Sequence, residues 1–223
     1  MVAIGSVAVA GLFVGSRSSL FDARTVEVTG ASHIARPELL RVAGVGEGTN
    51  VLWLDELAVE GRLEIEPWVA TAEVSTSLPW TIRIEVAERS PVAVTGDGHD
   101  RSLVSGDGTI LGSVGGIPGL PRIDVPVAPA LDGPRPSVAG AASALDAMTA
   151  SLRARVERVV VSPAGTLELR LEGGVVVRYG SATSQRRKAA VIERILAWPR
   201  SREGALTQIS VVAPSVPAVV LAE

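Results

Sequence analysis

Between Ala72 and Val86 the side chains alternate with period two on either side of a Pro79-Trp80 turn, and nothing else in the chain narrows its folds as much. Ala72, Val74, Thr76 and Leu78 alternate with polar or small residues on one arm; Ile82, Ile84 and Val86 alternate with Thr81, Arg83 and Glu85 on the other. Successive side chains of an extended strand point to opposite faces, so this is a β-hairpin with one buried face. An isolated hairpin is marginal in water, and its apolar face needs a cover. The preceding residues can supply one. Val26 and Val28 alternate in a short strand that Gly30 ends, and Pro37 opens a helix that Gly44 closes. Gly46 to Asn50 turn the chain through Val51-Leu52-Trp53-Leu54, and Asp55 can cap a second helix with Val59 and Leu63 on one face, ended by Pro67-Trp68. Residues 21–90 therefore read strand, helix, helix, strand, strand, a small unit able to fold alone.

From Pro91 the texture changes. Short strands are expected at 92–95, 103–104 and 109–111, with a Gly106-Asp107-Gly108 turn between the last two. Six prolines and five glycines fall between Gly112 and Pro136, so that stretch is expected to be flexible or partly strand. Ser137 can cap one helix with Val138, Ala141, Ala142, Leu145, Met148 and Leu152 along a face. Strands follow at 159–161, 167–171 and 175–179, the last two joined by Gly173-Gly174. A helix from Ser184 to Trp198 and a final strand from Gln208 to Ala213 complete a mixed α+β domain, 91–223, with a largely antiparallel sheet. The whole chain is α+β.

Met1 to Ser16 carry no charge, but a helix crossing a bilayer needs about 20 apolar residues. A transmembrane helix missing its upstream end, a signal peptide and a buried core helix all fit; a signal peptide would begin with basic residues absent here. Arg17 and Arg24 alone do not orient the chain.

Composition trims the functions. With no cysteine in 223 residues, disulfides, thiolate metal sites and cysteine nucleophiles are excluded, and two histidines leave little for a triad or a metal site. A net charge of −3 argues against nucleic acid as a partner. His33 and His99 read as loop residues, Gly44 to Thr49 lacks the Lys-Ser/Thr of a phosphate loop, and Glu64 and Glu66 have no visible acid–base partner. No cofactor or metal is expected, and the chain reads as a non-enzyme.

Particular residues resemble a known family. Val26-Glu27-Val28-Thr29-Gly30, Ala43-Gly44-Val45-Gly46-Glu47-Gly48-Thr49-Asn50-Val51-Leu52, Pro67-Trp68-Val69, Thr81 to Val86 and Glu88-Arg89-Ser90-Pro91-Val92-Ala93 resemble the polypeptide-transport-associated (POTRA) domain of the FtsQ/DivIB cell-division family. Downstream, Gly106 to Leu111, Leu120-Pro121-Arg122-Ile123 and Gln208 to Pro214 resemble its β domain. The resemblance implies a single-pass plasma-membrane protein, anchored by residues 1–16, with its body outside the cytoplasm. It would be a divisome scaffold that binds FtsB and FtsL and regulates septal wall synthesis. A POTRA-bearing component of a transport or envelope-assembly machine is the alternative, and an exported hydrolase would need a nucleophile–base set not seen here.

The partner site is expected at the final strand, through Val211, Val212, Ala213 and Ser215. Residues 208–222 carry no charge, and an unguarded edge invites strand addition by a partner unless another segment already covers it. Val211→Pro would then remove a ladder donor. Arg186, Arg187 and Lys188 form a basic cluster readable as a solvated face, a patch for an acidic partner segment, or a weak membrane contact.

Overall fold

The computed structural model describes residues 16–97, 100–113, 119–125, 138–198 and 206–221. The expected membrane segment, His99, the Ser137 cap and most of the Gly/Pro-rich stretch lie outside the described residues, and no described helix is long and apolar enough to cross a membrane. The chain divides into two units between Arg89 and Ser90.

In the first unit, β1 (Thr25–Thr29) is followed by α1 (Arg36–Ala43), α2 (Glu56–Glu64), β2 (Val69–Ser77) and β3 (Thr81–Glu88). Pro37 starts α1, and Gly44 ends it in the left-handed conformation. Asp55 caps α2 by accepting the Ala58 N–H at 3.0 Å. The sheet order is β1-β3-β2, with β1 parallel to β3 and β2 antiparallel to it. The period-two alternation sets the buried face: Val74, Ile82, Ile84 and Val86 pack against Leu39, Val59 and Leu63 of the helices. Leu78, expected on that face, lies at the exposed hairpin tip beside the cis Leu78–Pro79 peptide.

The second unit is one sheet of nine described strands. These are β4 (Pro91–Thr95), β5 (Ser102–Ser105), β6 (Ile110–Ser113), β7 (Arg122–Asp124), β8 (Val156–Val161), β9 (Leu167–Leu171), β10 (Val176–Gly180), β11 (Leu206–Ser210) and β12 (Ala218–Leu221). They lie in the order β12-β11-β10-β9-β8-β7-β4-β5-β6. Five neighbour pairs are antiparallel; β4–β7, β7–β8 and β10–β11 are parallel. Parallel neighbours need a crossover, supplied between β10 and β11 by the helix α5 (Gln185–Leu196). Residues of α3 (Val138–Asp146), α4 (Ala150–Ala154) and α5 share a core with Ile123, Val159, Leu169, Leu171, Val177 and Ile209 of the strands.

The Pro- and Gly-rich stretch is partly strand, one of its two expected forms: β7 is three residues long but is paired on both sides, Thr95 with Ile123 and Ile123 with Val159. Arg122 and Arg158 both pair with Asp124, and Arg122 also with Asp97. Two other expectations are corrected in this unit. The helix expected from Val138 to Leu152 is two helices, because Thr149 is extended and its hydroxyl accepts the Leu152 N–H at 3.3 Å, starting a new N-terminus. The strand expected over Gln208 to Ala213 ends at Ser210 and is not the edge. Residues 211–217 turn the chain, and β12 folds back onto β11, with Ile209 opposite Val219 and Ser210 opposite Ala218.

The Gly106-Asp107-Gly108 turn has a packing reason. Asp107 accepts the Thr109 N–H at 3.0 Å, and Gly108 has φ +88 against α3. A Cβ there would fall 2.5 Å from the Ala139 Cα, so the close approach requires glycine.

Candidate functional site

The candidate surface is built where α5 starts and where β11 gives way to β12. Val211, expected on an open edge, is fully buried, and its N–H donates to the Arg178 carbonyl at 3.0 Å. Proline there would strike the interior. Val212, Ala213 and Ser215 lie in the exposed turn between β11 and β12. Among the described residues no strand pairs with the outer side of β12, and its four residues are all exposed. Val219, Val220 and Leu221 carry no charge, and Val216 in the turn is 77% exposed. The same sheet ends at β6 on its far side, where Ile110 is exposed.

The basic cluster separates into two parts. Arg186 and Arg187 are exposed on the first turn of α5, a turn without acidic residues or a capping side chain. Lys188 is 1% exposed, which corrects its reading as a surface charge. Its ammonium donates to the carbonyls of Tyr179 and Ser181, both at 2.8 Å, and lies 4.7 Å from the centre of the Tyr179 ring. Burial pushes the Lys188 ammonium below its ordinary range and the Tyr179 phenol up to about 12. Lys188 therefore ties the end of β10 to the start of α5. A Cβ on Gly180 would sit 3.3 Å from the Val212 methyls, so the turn held by Lys188 abuts the exit of β11. The arginines and the β11–β12 turn thus belong to one neighbourhood. Nothing in the Arg-Arg-Lys run marked its third member as buried; only the helix phase, which puts Lys188 next to Ala189 and one turn before Ile192, carried that signal.

A second polar cluster stands at the end of β3. Glu88 accepts the Ser32 and His33 N–H groups, each at 2.9 Å, the Ser32 hydroxyl at 2.6 Å and the Ile34 N–H at 3.2 Å. The His33 Nδ1 lies 2.8 Å from its Oε2, and the imidazole stacks on Trp68 at 4.4 Å. His33 is thus an exposed loop residue, as expected, with Glu88 and Trp68 holding its ring. Burial alone would raise the Glu88 pKa, but the bonds from Ser32 and His33 outweigh it and hold it at about 2. A carboxylate so fully engaged is a clamp on the loop after β1, not a general base. Glu64 likewise accepts the Ala72 N–H. No group of three potential ligands that could hold a metal occurs among the described residues.

Comparison with known proteins gives two family matches. Residues 21–89 match the family described as "POTRA domain, FtsQ-type", and residues 93–210 match "Cell division protein FtsQ/DivIB, C-terminal". Over 183 residues the chain is 32% identical to the "Cell division protein FtsQ" of Mycolicibacterium smegmatis, an overlap of 81% of this chain and 53% of that protein. It is 33% identical over 127 residues to the protein of the same name from Anaeromyxobacter sp., covering 52% of this chain and 43% of the relative. It is 27% identical over 189 residues to that of Corynebacterium glutamicum, covering 83% and 81%. The chain spans about half the length of the first two of these relatives.

Proposed function

The chain belongs to the FtsQ/DivIB family of cell division proteins, and on that premise we propose that it is a membrane-anchored, non-enzymatic scaffold of the divisome. In this reading residues 1–16 belong to the anchor that holds it in the plasma membrane, and its body lies outside the cytoplasm. It binds FtsB and FtsL there and regulates septal wall synthesis. Family membership favours this over a role in transport or envelope assembly.

The observation that carries the reading is the outer side of β12. It is uncharged and exposed, so no lysine or other charge guards the edge on Ala218 to Leu221. A partner strand can add there by main-chain hydrogen bonds. Val212, Ala213 and Ser215 flank the site, and Arg186 and Arg187 offer charge-assisted bonds to acidic residues of the same partner. Val211 and Lys188 contribute from the interior, by holding the turn and the helix start that frame the edge.

Val220→Lys tests it, because a lysine on an edge strand opposes strand addition while Val220 is 50% exposed and free to change. Binding of a synthetic FtsB segment, followed by fluorescence anisotropy, is expected to weaken by about tenfold or more, with the melting curve unchanged. Ile110→Lys, on the opposite edge strand β6, is expected to bind as the parent does. Equal binding by the two variants would remove β12 as the site.

A further inference from the structure

We propose that the end of the first unit next to residues 1–15 is a lipid-docking surface that seats in the headgroup layer of the bilayer. Because β1 and β3 are parallel with Thr25 opposite Thr81, the start of β1 and the tip of the β2–β3 hairpin lie at one end of the sheet. The first turn of α2 reaches the same end, since the Thr76 hydroxyl donates to Glu56 at 2.8 Å. Segment 16–24 runs across this end. The Asn50 side chain donates to the Ser16 carbonyl at 3.0 Å, the Trp53 indole N–H to the Ser16 hydroxyl at 3.2 Å, and the Trp80 indole N–H to the Leu20 carbonyl at 2.9 Å.

Around that segment stand five large apolar side chains that the core does not use. Leu57 is 80% exposed, Leu20 67%, Leu78 61%, Trp53 53% and Trp80 39%. Two guanidinium groups sit over the indoles, Arg24 at 4.0 Å from Trp80 and Arg17 at 5.7 Å from Trp53. The chemistry is that of a membrane interface. Indoles with their N–H groups already bonded, and leucines, enter the upper acyl region, while arginines fold along them with their charges at phosphate depth.

Lipid is the occupant that the chain itself indicates. The fifteen residues before Ser16 contain no charged side chain, and Ser16 is bonded into this patch. The medium that takes up that segment therefore lies against the patch. Asp22, Asp55 and Glu56 also stand at this end, so the two arginines confer no net positive charge. Docking thus rides on apolar burial, and it is expected in neutral phosphatidylcholine and at high salt alike.

The proposal rests on the anchored reading given above, and one experiment separates the two. The chain has no cysteine, so an environment-sensitive nitrobenzoxadiazole label can be placed singly through Leu57→Cys, Leu78→Cys or Ile65→Cys. Ile65 follows the opposite end of α2 and is also 80% exposed, which makes it the control. The labelled full-length protein is floated with phosphatidylcholine vesicles and quenched with lipids carrying a spin label near the headgroup. The result expected is flotation, with quenching at positions 57 and 78 roughly threefold or more above that at 65. Flotation with equal quenching at all three would overturn the docking and leave the anchor standing; failure to float would overturn both. Shielding of 57 and 78 from water that rises with the protein-to-lipid ratio, without quenching by lipid, would give the patch to a second copy of the chain and also overturn the proposal.

Discussion

The two units draw on the same aliphatic alphabet but assemble it differently. In the first, the sheet is a hairpin plus one strand, and β2 and β3 are neighbours in both chain and space. In the second, β7 is inserted between β4 and β8, β10 reaches β11 only through α5, and the edge is set by the last four residues described. A hairpin's register follows from its own alternation, whereas a crossover strand takes its place from partners distant in sequence. The first unit is thus nearly a reading of its own local pattern; the second is a sum of long-range choices.

The largest expected effect tests whether the units are separate in stability as well as in design. Ile84 is fully buried at mid-strand in β3, and Ile209 is fully buried in β11. An unpaired carboxylate at either position costs about 4 kcal/mol or more, comparable with the stability of a small domain. Ile84→Asp is expected to abolish the calorimetric transition of the first unit and leave that of the second, and Ile209→Asp the reverse. Loss of both transitions from either substitution would dissolve the contrast.

A smaller effect sharpens it. Lys188 is a buried charge, and the first unit buries none among its described residues; Lys188→Ala leaves two carbonyls at the end of β10 without their donor. A loss of roughly 2 kcal/mol from the second unit is expected, read from its denaturant midpoint. Lys188→Met, which keeps the apolar stem, is expected to lose about half as much. Equal losses would assign the whole effect to the ammonium's two hydrogen bonds, and no loss from Lys188→Met would assign it to packing.

The last concerns the local clamp of the first unit. The Glu88 pKa is held at about 2, below its ordinary 4.5. Since the folded value is the lower one, the stabilisation is complete above pH 4.5 and is lost as the pH falls from there toward 2. Between pH 6 and pH 2 the first unit is expected to lose at most about 3 kcal/mol through this group. Glu88→Gln is expected to flatten that portion of the pH profile, measured by thermal melts of the first-unit transition. An unchanged acid slope in the variant would show that other carboxylates carry it.

Sequence by itself determined the first unit almost completely. Val26, Ile82, Ile84 and Val86 fixed strand faces, Asp55 fixed a cap and Gly44 fixed a helix end, because each signal lies within a few residues of its consequence. It also determined the family, through runs such as Thr81 to Ala93 and Gln208 to Pro214. Tertiary structure alone decided the rest. Arg122-Ile123-Asp124 is too short for periodicity to register and becomes a strand because β4 and β8 offer hydrogen bonds on both sides. The third residue of Arg186-Arg187-Lys188 is inside because helix phase and two carbonyls take it there. Ile209 and Val211 look like an edge in any linear reading, and they are interior because Ala218 to Leu221 return across a turn. Which strand is the last in a sheet is a property of every other strand's pairing, and no window along the chain contains it.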